Sequence, residues 1–146
     1  MPRSVDDSRP SEGAQCFVRD MNTDLHLVLS GKASEARMLR GALRRWLAEV
    51  QINGAIGRDI VGAVSEAFAN AVEHPLERRA DAVLIDGEIE SSEVVVRVRD
   101  HGQWQHEVDP ARRHYGFRLM EGLMDAVAIE RSDRGTVVTL RRAIPR

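Results

Sequence analysis

A chain of 146 residues, 42% of them apolar, is long enough to build one domain around a hydrophobic core and too short for two ordinary ones. Its 23 acidic and 21 basic residues leave a net charge of -2, which argues against a dedicated nucleic-acid binder. A small anionic ligand stays possible, because backbone groups and a bound cation can hold one. The single cysteine, Cys16, allows neither an internal disulfide nor a cysteine-only zinc site and suits a reducing compartment. No run reaches the length of a membrane span and the N-terminus has no apolar signal core, so a cytoplasmic protein off the membrane is expected.

Residues 1–22, with Pro2, Pro10, Gly13 and little apolar pattern, read as a flexible arm; residues 23–146 read as the domain. Leu25, Leu27 and Leu29 alternate with His26 and Val28, the mark of a strand with one apolar face. Gly31 and Ser34 mark a turn and a helix cap. Leu39, Leu43, Trp46, Leu47 and Val50 then recur at helical spacing, while Arg37, Arg40, Arg44 and Arg45 mostly lie elsewhere and read as a solvated face. Residues 51–57, with Asn53-Gly54, read as a loop before a helix from Arg58 to His74 that ends ahead of Pro75.

Ala82 to Ile89 and Glu93 to Arg99 read as a hairpin joined through Glu90-Ser-Ser92, with Val94, Val96 and Val98 on one face. A turn-rich segment from Asp100 to Gly116 leads to a helical run with Phe117, Met120, Leu123 and Met124. Strands at Ala126 to Glu130 and Thr136 to Arg142 close the chain around Ser132-Asp-Arg-Gly135. The order strand, helix, helix, hairpin, loop, helix, hairpin does not alternate as a parallel sheet requires. It predicts a two-layer α/β sandwich of the α+β type, a mixed, mainly antiparallel sheet with helices packed on one face.

Three polar sites interrupt this scaffold. Glu66, Asn70 and His74 stand four residues apart, so they share one face of a helix whose opposite stripe is Ile60, Val64, Phe68, Ala71 and Val72. Asn70 offers a neutral oxygen suited to magnesium, and Glu66 could accept a proton from a hydroxyl or water. By itself the row is equally a structural polar face. Asp100-His-Gly102 follows the valine strand: the carboxylate can accept from an exocyclic amine, and the glycine lets the backbone pass close to a flat ring, or the pair is a plain turn. His114-Tyr-Gly116 stands where a loop is expected to enter a helix, whose free N–H groups would bind phosphate. Neither the Walker pattern nor the dinucleotide fingerprint is present.

Taken in order, Val64-Ser-Glu66-Ala-Phe-Ala-Asn70-Ala-Val-Glu-His74, Val96-Arg-Val-Arg-Asp100-His-Gly102-Gln-Trp104, Gly116-Phe-Arg-Leu-Met-Glu-Gly-Leu-Met-Asp125 and Gly135-Thr136-Val-Val carry a resemblance to a known family. Over about residues 24 to 142 the chain resembles the GHKL (Bergerat-fold) superfamily of ATP-binding domains, which includes DNA gyrase and the histidine kinases. It is most similar to the anti-sigma-factor serine/threonine kinase branch.

The resemblance implies ATP and Mg2+ as ligands, with Asn70 coordinating the metal that bridges the phosphates and Glu66 as general base. It implies that Asp100 binds the adenine amine, that Gly102 shapes the pocket floor, and that Gly116 and the Phe117 backbone close a lid over the phosphates. Thr136 would stand near the adenine beside Asp100 or a water, and His74 would contact phosphate or only pack. Two positions depart from the family pattern: Trp104 stands at the second glycine of the adenine motif and His114 at the first glycine of the lid motif. Trp104 would cover the nucleotide or cap the core.

The implied reaction is phosphoryl transfer to a serine or threonine of a small anti-sigma-factor antagonist, with a sigma factor as the competing partner and a possible homodimer. Two other readings are a non-catalytic ATP-binding partner-switching module and the catalytic domain of a sensor histidine kinase. A domain with no nucleotide is the remaining possibility.

Overall fold

The computed structural model describes residues 15–18, 24–73, 82–101 and 110–145. Along these, the elements run β1 (Gln15–Val18), β2 (Leu25–Leu29), α1 (Ala36–Glu49), α2 (Gly54–Glu73), β3 (Val83–Glu90) and β4 (Glu93–Asp100), then α3 (Pro110–Leu123), β5 (Ala126–Ser132) and β6 (Gly135–Ala143). The strands form one sheet in the order β1-β2-β3-β4-β6-β5, antiparallel at every described pairing. The helices cover one face of it, so the two-layer architecture expected from the element order holds.

Alternation decides which face is covered. Leu25, Leu27 and Leu29 of β2, Val83 and Ile85 of β3, Val94, Val96 and Val98 of β4, and Val138 and Leu140 of β6 are all buried in the common core. From the helices come Leu39, Leu43, Trp46 and Leu47 of α1 and Ile60, Ala63, Val64, Ala67 and Phe68 of α2. Each large apolar side chain so buried contributes roughly 1.5–3 kcal/mol, an upper figure given a compact unfolded chain. The other sheet face is mixed: it carries Val28, Leu84, Val137 and the fully buried Val95 beside cross-strand ion pairs, His26 with Asp86 across β2 and β3 at 2.5 Å and Arg97 with Glu88 across β3 and β4 at 2.8 Å. Among the described residues no helix is long and apolar enough to cross a membrane.

Both ends of α1 are fixed by local chemistry. The Glu35 carboxylate accepts from the Ser30 N–H at 3.0 Å, the Ser30 hydroxyl at 2.9 Å and the Lys32 N–H at 2.8 Å, tying the turn at Gly31 to the helix start. At the other end Gln51 adopts φ 62, the Gln51 N–H donates to the Ala48 carbonyl at 3.1 Å and the Ile52 N–H to the Leu47 carbonyl at 2.8 Å. These two bonds satisfy carbonyls the helix leaves open and are the Schellman arrangement, which brings Ile52 back toward Leu47.

Several boundaries differ from the sequence expectation. Residues 15–18, placed in the flexible arm, form the edge strand β1 against β2. Helix α2 starts at Gly54 rather than Arg58, because the Asn53-Gly54 signal marks a helix entry (Gly54 φ 69) instead of a longer loop. Helix α3 starts at Pro110, so Gly116 lies inside it and not at its beginning. Pro110 is at home as the first residue of a helix, where a missing N–H costs nothing.

Gly87 sits on the buried face of β3, where a Cβ would lie 2.7 Å from Cη2 and 3.0 Å from Cζ3 of the fully buried Trp46. A Gly87→Ala variant is expected to be destabilised by about 1–3 kcal/mol through overpacking, despite the better strand propensity of alanine. Urea denaturation checks this; an unchanged midpoint would show that Trp46 repacks freely.

Candidate functional site

Helix α2 carries two chemistries on different faces. Its apolar stripe enters the core, while Asp59, Gly62, Glu66 and Asn70 follow one another at spacings of three and four along the face turned to α3. Glu66 and Asn70 are half-buried. A Cβ built on Gly116 would lie 2.6 Å from Glu66 Oε1 and 3.3 Å from Asn70 Nδ2, so α3 passes directly against both polar groups. Near the other end of the contact, a Cβ on Gly62 would meet Leu123 Cδ1 at 3.2 Å. The pairings 62 with 123 and 66/70 with 116 make the two helices antiparallel neighbours.

A basic residue fixes that second end. Arg142, on β6, donates from Nη1 to the Leu123 carbonyl at 2.7 Å. Its Nη2 lies 3.3 Å from Asp59 Oδ2, and its Nε 4.0 Å from Asp125 Oδ2. One guanidinium thus joins β6, the start of α2 and the C-terminus of α3, where a cation also meets the negative end of the helix dipole. The sequence reading gave Arg142 no role; the three elements it joins are far apart in the chain, and no local pattern marks it.

The second half of the site lies at the end of the sheet. Asp100 closes β4 and is paired in register with Thr136 near the start of β6. Both occupy the covered face, at 6% and 3% exposure, and they are the buried polar side chains of the described residues. A polar pair taken out of water in this way requires hydrogen-bond partners. Gly135 makes the approach possible: with φ 129, its Cβ would stand 1.9 Å from the Asp100 carbonyl oxygen and 2.8 Å from His101 Cα. Helix α2, with Glu66 and Asn70, packs across β4 and β6, the strands that carry Asp100 and Thr136.

The structure therefore brings Glu66, Asn70 and Gly116 together, and separately Asp100 with Thr136. Phe117, next along α3, is half-buried against the core. His74, Gly102 and Trp104 lie outside the described residues, as does the side chain of His114. The expected role of Gly116 changes: as an interior residue of α3 it has no free N–H of a helix start to offer a phosphate. What it supplies is space beside Glu66 and Asn70.

A groove between α1 and α2 went unread in the sequence. It has a volume of about 540 Å³ and includes Arg40 and Arg44 of α1, Arg58 and Ser65 of α2, and Leu47, Ile52 and Val61 in its wall. The arginines assigned to a solvated face are thus partly the rim of a cavity.

Known proteins share this fold and sequence pattern. The model of the histidine kinase-like ATPase domain matches residues 29–142. The anti-sigma F factor of Clostridium botulinum is 26% identical over 132 residues, covering 81% of this chain and 92% of that protein. That of Anoxybacillus flavithermus is 29% identical over 134 residues, covering 82% and 92%. The crystal structure of the RsbU and RsbW domains of a Mycobacterium tuberculosis protein superposes with a TM-score of 0.71 at 30% identity, over 84% of this chain and 33% of that one. The fold and motif order define an ATPase-type α/β sandwich, and the chain belongs to the histidine kinase-like ATPase domain family. Within it, the chain matches the anti-sigma factor branch.

The glycine geometry separates two substitutions. Gly116→Ala meets the movable end of Glu66, so the fold should survive with a melting temperature within about 3 °C of wild type while Glu66 is displaced. Gly135→Ala meets backbone, so it should lower stability by more than about 2 kcal/mol and disturb Asp100. Thermal melts of both variants check the contrast; equal losses would mean that α3 is held as rigidly as the sheet end.

Proposed function

We propose that the chain is an ATP-dependent serine/threonine-protein kinase that acts as an anti-sigma factor, switching between a sigma factor and a small antagonist that it phosphorylates. The observation that carries this reading is the placement of Glu66 and Asn70 against Gly116, on the helix that crosses the strands bearing the buried pair Asp100 and Thr136. Membership of the ATPase family and likeness to named anti-sigma factors support it.

In this reading Asp100 accepts from the adenine amine, and Thr136, its register partner, donates or accepts beside it. Gly116, with the Phe117 backbone, walls the phosphate end of the site. Glu66 takes the proton from the seryl or threonyl hydroxyl of the antagonist as its oxygen bonds to the γ-phosphorus; the bond from that phosphorus to the β–γ bridging oxygen breaks, and ADP leaves.

The donor set fits magnesium. Among the described residues no group of three or more His, Cys, Asp or Glu side chains is placed to hold a metal. Asn70 instead offers one hard oxygen, and magnesium commonly takes one or two protein ligands together with substrate phosphates and water. Bound there, the ion would neutralise phosphate charge during transfer.

The added phosphate, about -1.5 to -2 in charge, would expel the antagonist from a surface that tolerated its neutral serine. A cytoplasmic location and a homodimer belong to the same proposal.

The test is transfer of radiolabelled γ-phosphate to candidate antagonists, run beside ATP binding with and without magnesium. Glu66→Gln should lower the transfer rate about 10²–10⁴-fold with ATP affinity nearly unchanged. Asn70→Ala should weaken magnesium-dependent binding as well. Transfer that survives Glu66→Gln would remove Glu66 as the base. Tight ATP binding with no label on any antagonist would favour a non-catalytic partner-switching module.

A further inference from the structure

The α1/α2 groove has features that the nucleotide site does not use. Its rim holds Arg40, Arg44 and Arg58, and no carboxylate is among its lining residues. Arg44 and Arg58 are exposed, and Arg40 is half-buried. Among the described residues Arg97, Arg141 and Arg142 take part in ion pairs, whereas none of the three rim arginines does. A chain of net charge -2 thus concentrates three positive charges around one cavity.

Beneath the rim the wall is apolar and rigidly made. The Schellman bonds that end α1 hold Ile52 back toward Leu47, and Val61 of α2 completes the wall; all three are in the common core cluster. Gly54, Gly57 and Gly62 line the cavity without side chains to fill it, and Gly57 is closely backed by the Ile52 carbonyl, 3.1 Å from where a Cβ would stand. Ser65 faces the groove with its hydroxyl donating to the Val61 carbonyl at 2.6 Å. An apolar floor ringed by unpaired guanidinium groups is complementary to an apolar side chain flanked by carboxylates.

We infer that the α1/α2 groove is a docking site for an acidic, amphipathic segment of a protein partner. The segment sets an apolar side chain against Leu47, Ile52 and Val61 and its carboxylates against Arg40, Arg44 and Arg58. The inference rests on the reading of the chain as one that acts on protein partners, and it gives that reading a recognition chemistry. It also gives a geometry, because Ser65 at the groove edge is next in sequence to Glu66. A partner anchored in the groove is held beside the helix face that carries the proposed base.

The test uses the full chain, immobilised, to select from a displayed library of short randomised peptides, with Arg44→Glu/Arg58→Glu as the counter-target. Selected peptides are expected to be enriched in Asp and Glu around a large apolar residue and to bind more weakly as salt is raised. Their affinity should fall about tenfold or more for Arg44→Ala/Arg58→Ala, whose thermal melt should match wild type because both side chains are exposed.

Selection without acidic enrichment overturns the inference, as does equal binding to wild type and variant. Inorganic triphosphate that binds at the rim, lost in the same variant, while no acidic peptide is selected, also overturns it in favour of a small-anion site. ATP binding and transfer by the same preparation keep the two readings apart. Acidic selection without ATP binding leaves the groove and removes the kinase; transfer without acidic selection removes the groove alone.

Discussion

Helices α2 and α3 approach each other so closely because two positions on their shared face have no side chain. At Gly116 a single methyl group would strike the Glu66 carboxylate, and at Gly62 it would press on Leu123. Close packing alone would let α3 slide along α2, since small residues offer little for ridges and grooves to grip. The Arg142 guanidinium removes that freedom at one end by holding the Leu123 carbonyl and facing Asp59. From Leu123 to Gly116 is about two turns, roughly 10 Å of helix. A small rotation at the Arg142 end therefore moves Gly116 by a comparable fraction of that length. The position of the backbone beside Glu66 and Asn70 depends on a contact made well away from them.

At the sheet end the constraint is register. Asp100 and Thr136 share the covered face only because β4 pairs with β6 in this register, with Val98 opposite Val138 and Val96 opposite Leu140. A slip of one residue between the two strands would turn one of the polar groups to the open face, with Val137 taking the place of Thr136 or Arg99 that of Asp100. The same valines that fill the core thus enforce the position of the buried carboxylate. Gly135 completes the arrangement, since no other residue fits against the Asp100 carbonyl at φ 129. Here fold stability and site geometry are the same interaction.

Much of this was legible in the sequence where the signal was periodic. The leucines of β2, the valines of β4 and the stripe of α1 have one-face patterns that only a strand or a helix satisfies, and each lies where its period puts it. The spacing of four between Glu66 and Asn70 likewise placed them on one face. The start of α3 was misread because a glycine was taken as a break. Gly116 inside a helix costs about 1 kcal/mol against alanine in propensity, and the gain that offsets it, room beside Glu66, is a tertiary contact with no local mark. Arg142 and the groove were invisible for the same reason. Arg40 and Arg44 are spaced as any solvated helix face would be, and only the fold brings Arg58 and the Ile52 turn beside them.

Helix α2 is where these constraints meet. Successive residues on a helix are about 100° apart, so Ser65 and Glu66 belong to adjoining rows, one turned to α1 and the groove, the other to α3. The core stripe of Ile60, Val64, Ala67 and Phe68 fixes the rotation of the helix about its axis, and with it the direction of both rows. Neither row can turn without withdrawing the apolar stripe from water-free packing, which would cost several kcal/mol. A segment bound in the groove and a hydroxyl presented to Glu66 would consequently be referred to one rigid element. Under the two proposals the arginine rim would govern which partner arrives, and the α3 contact what Glu66 and Asn70 could do when it has arrived.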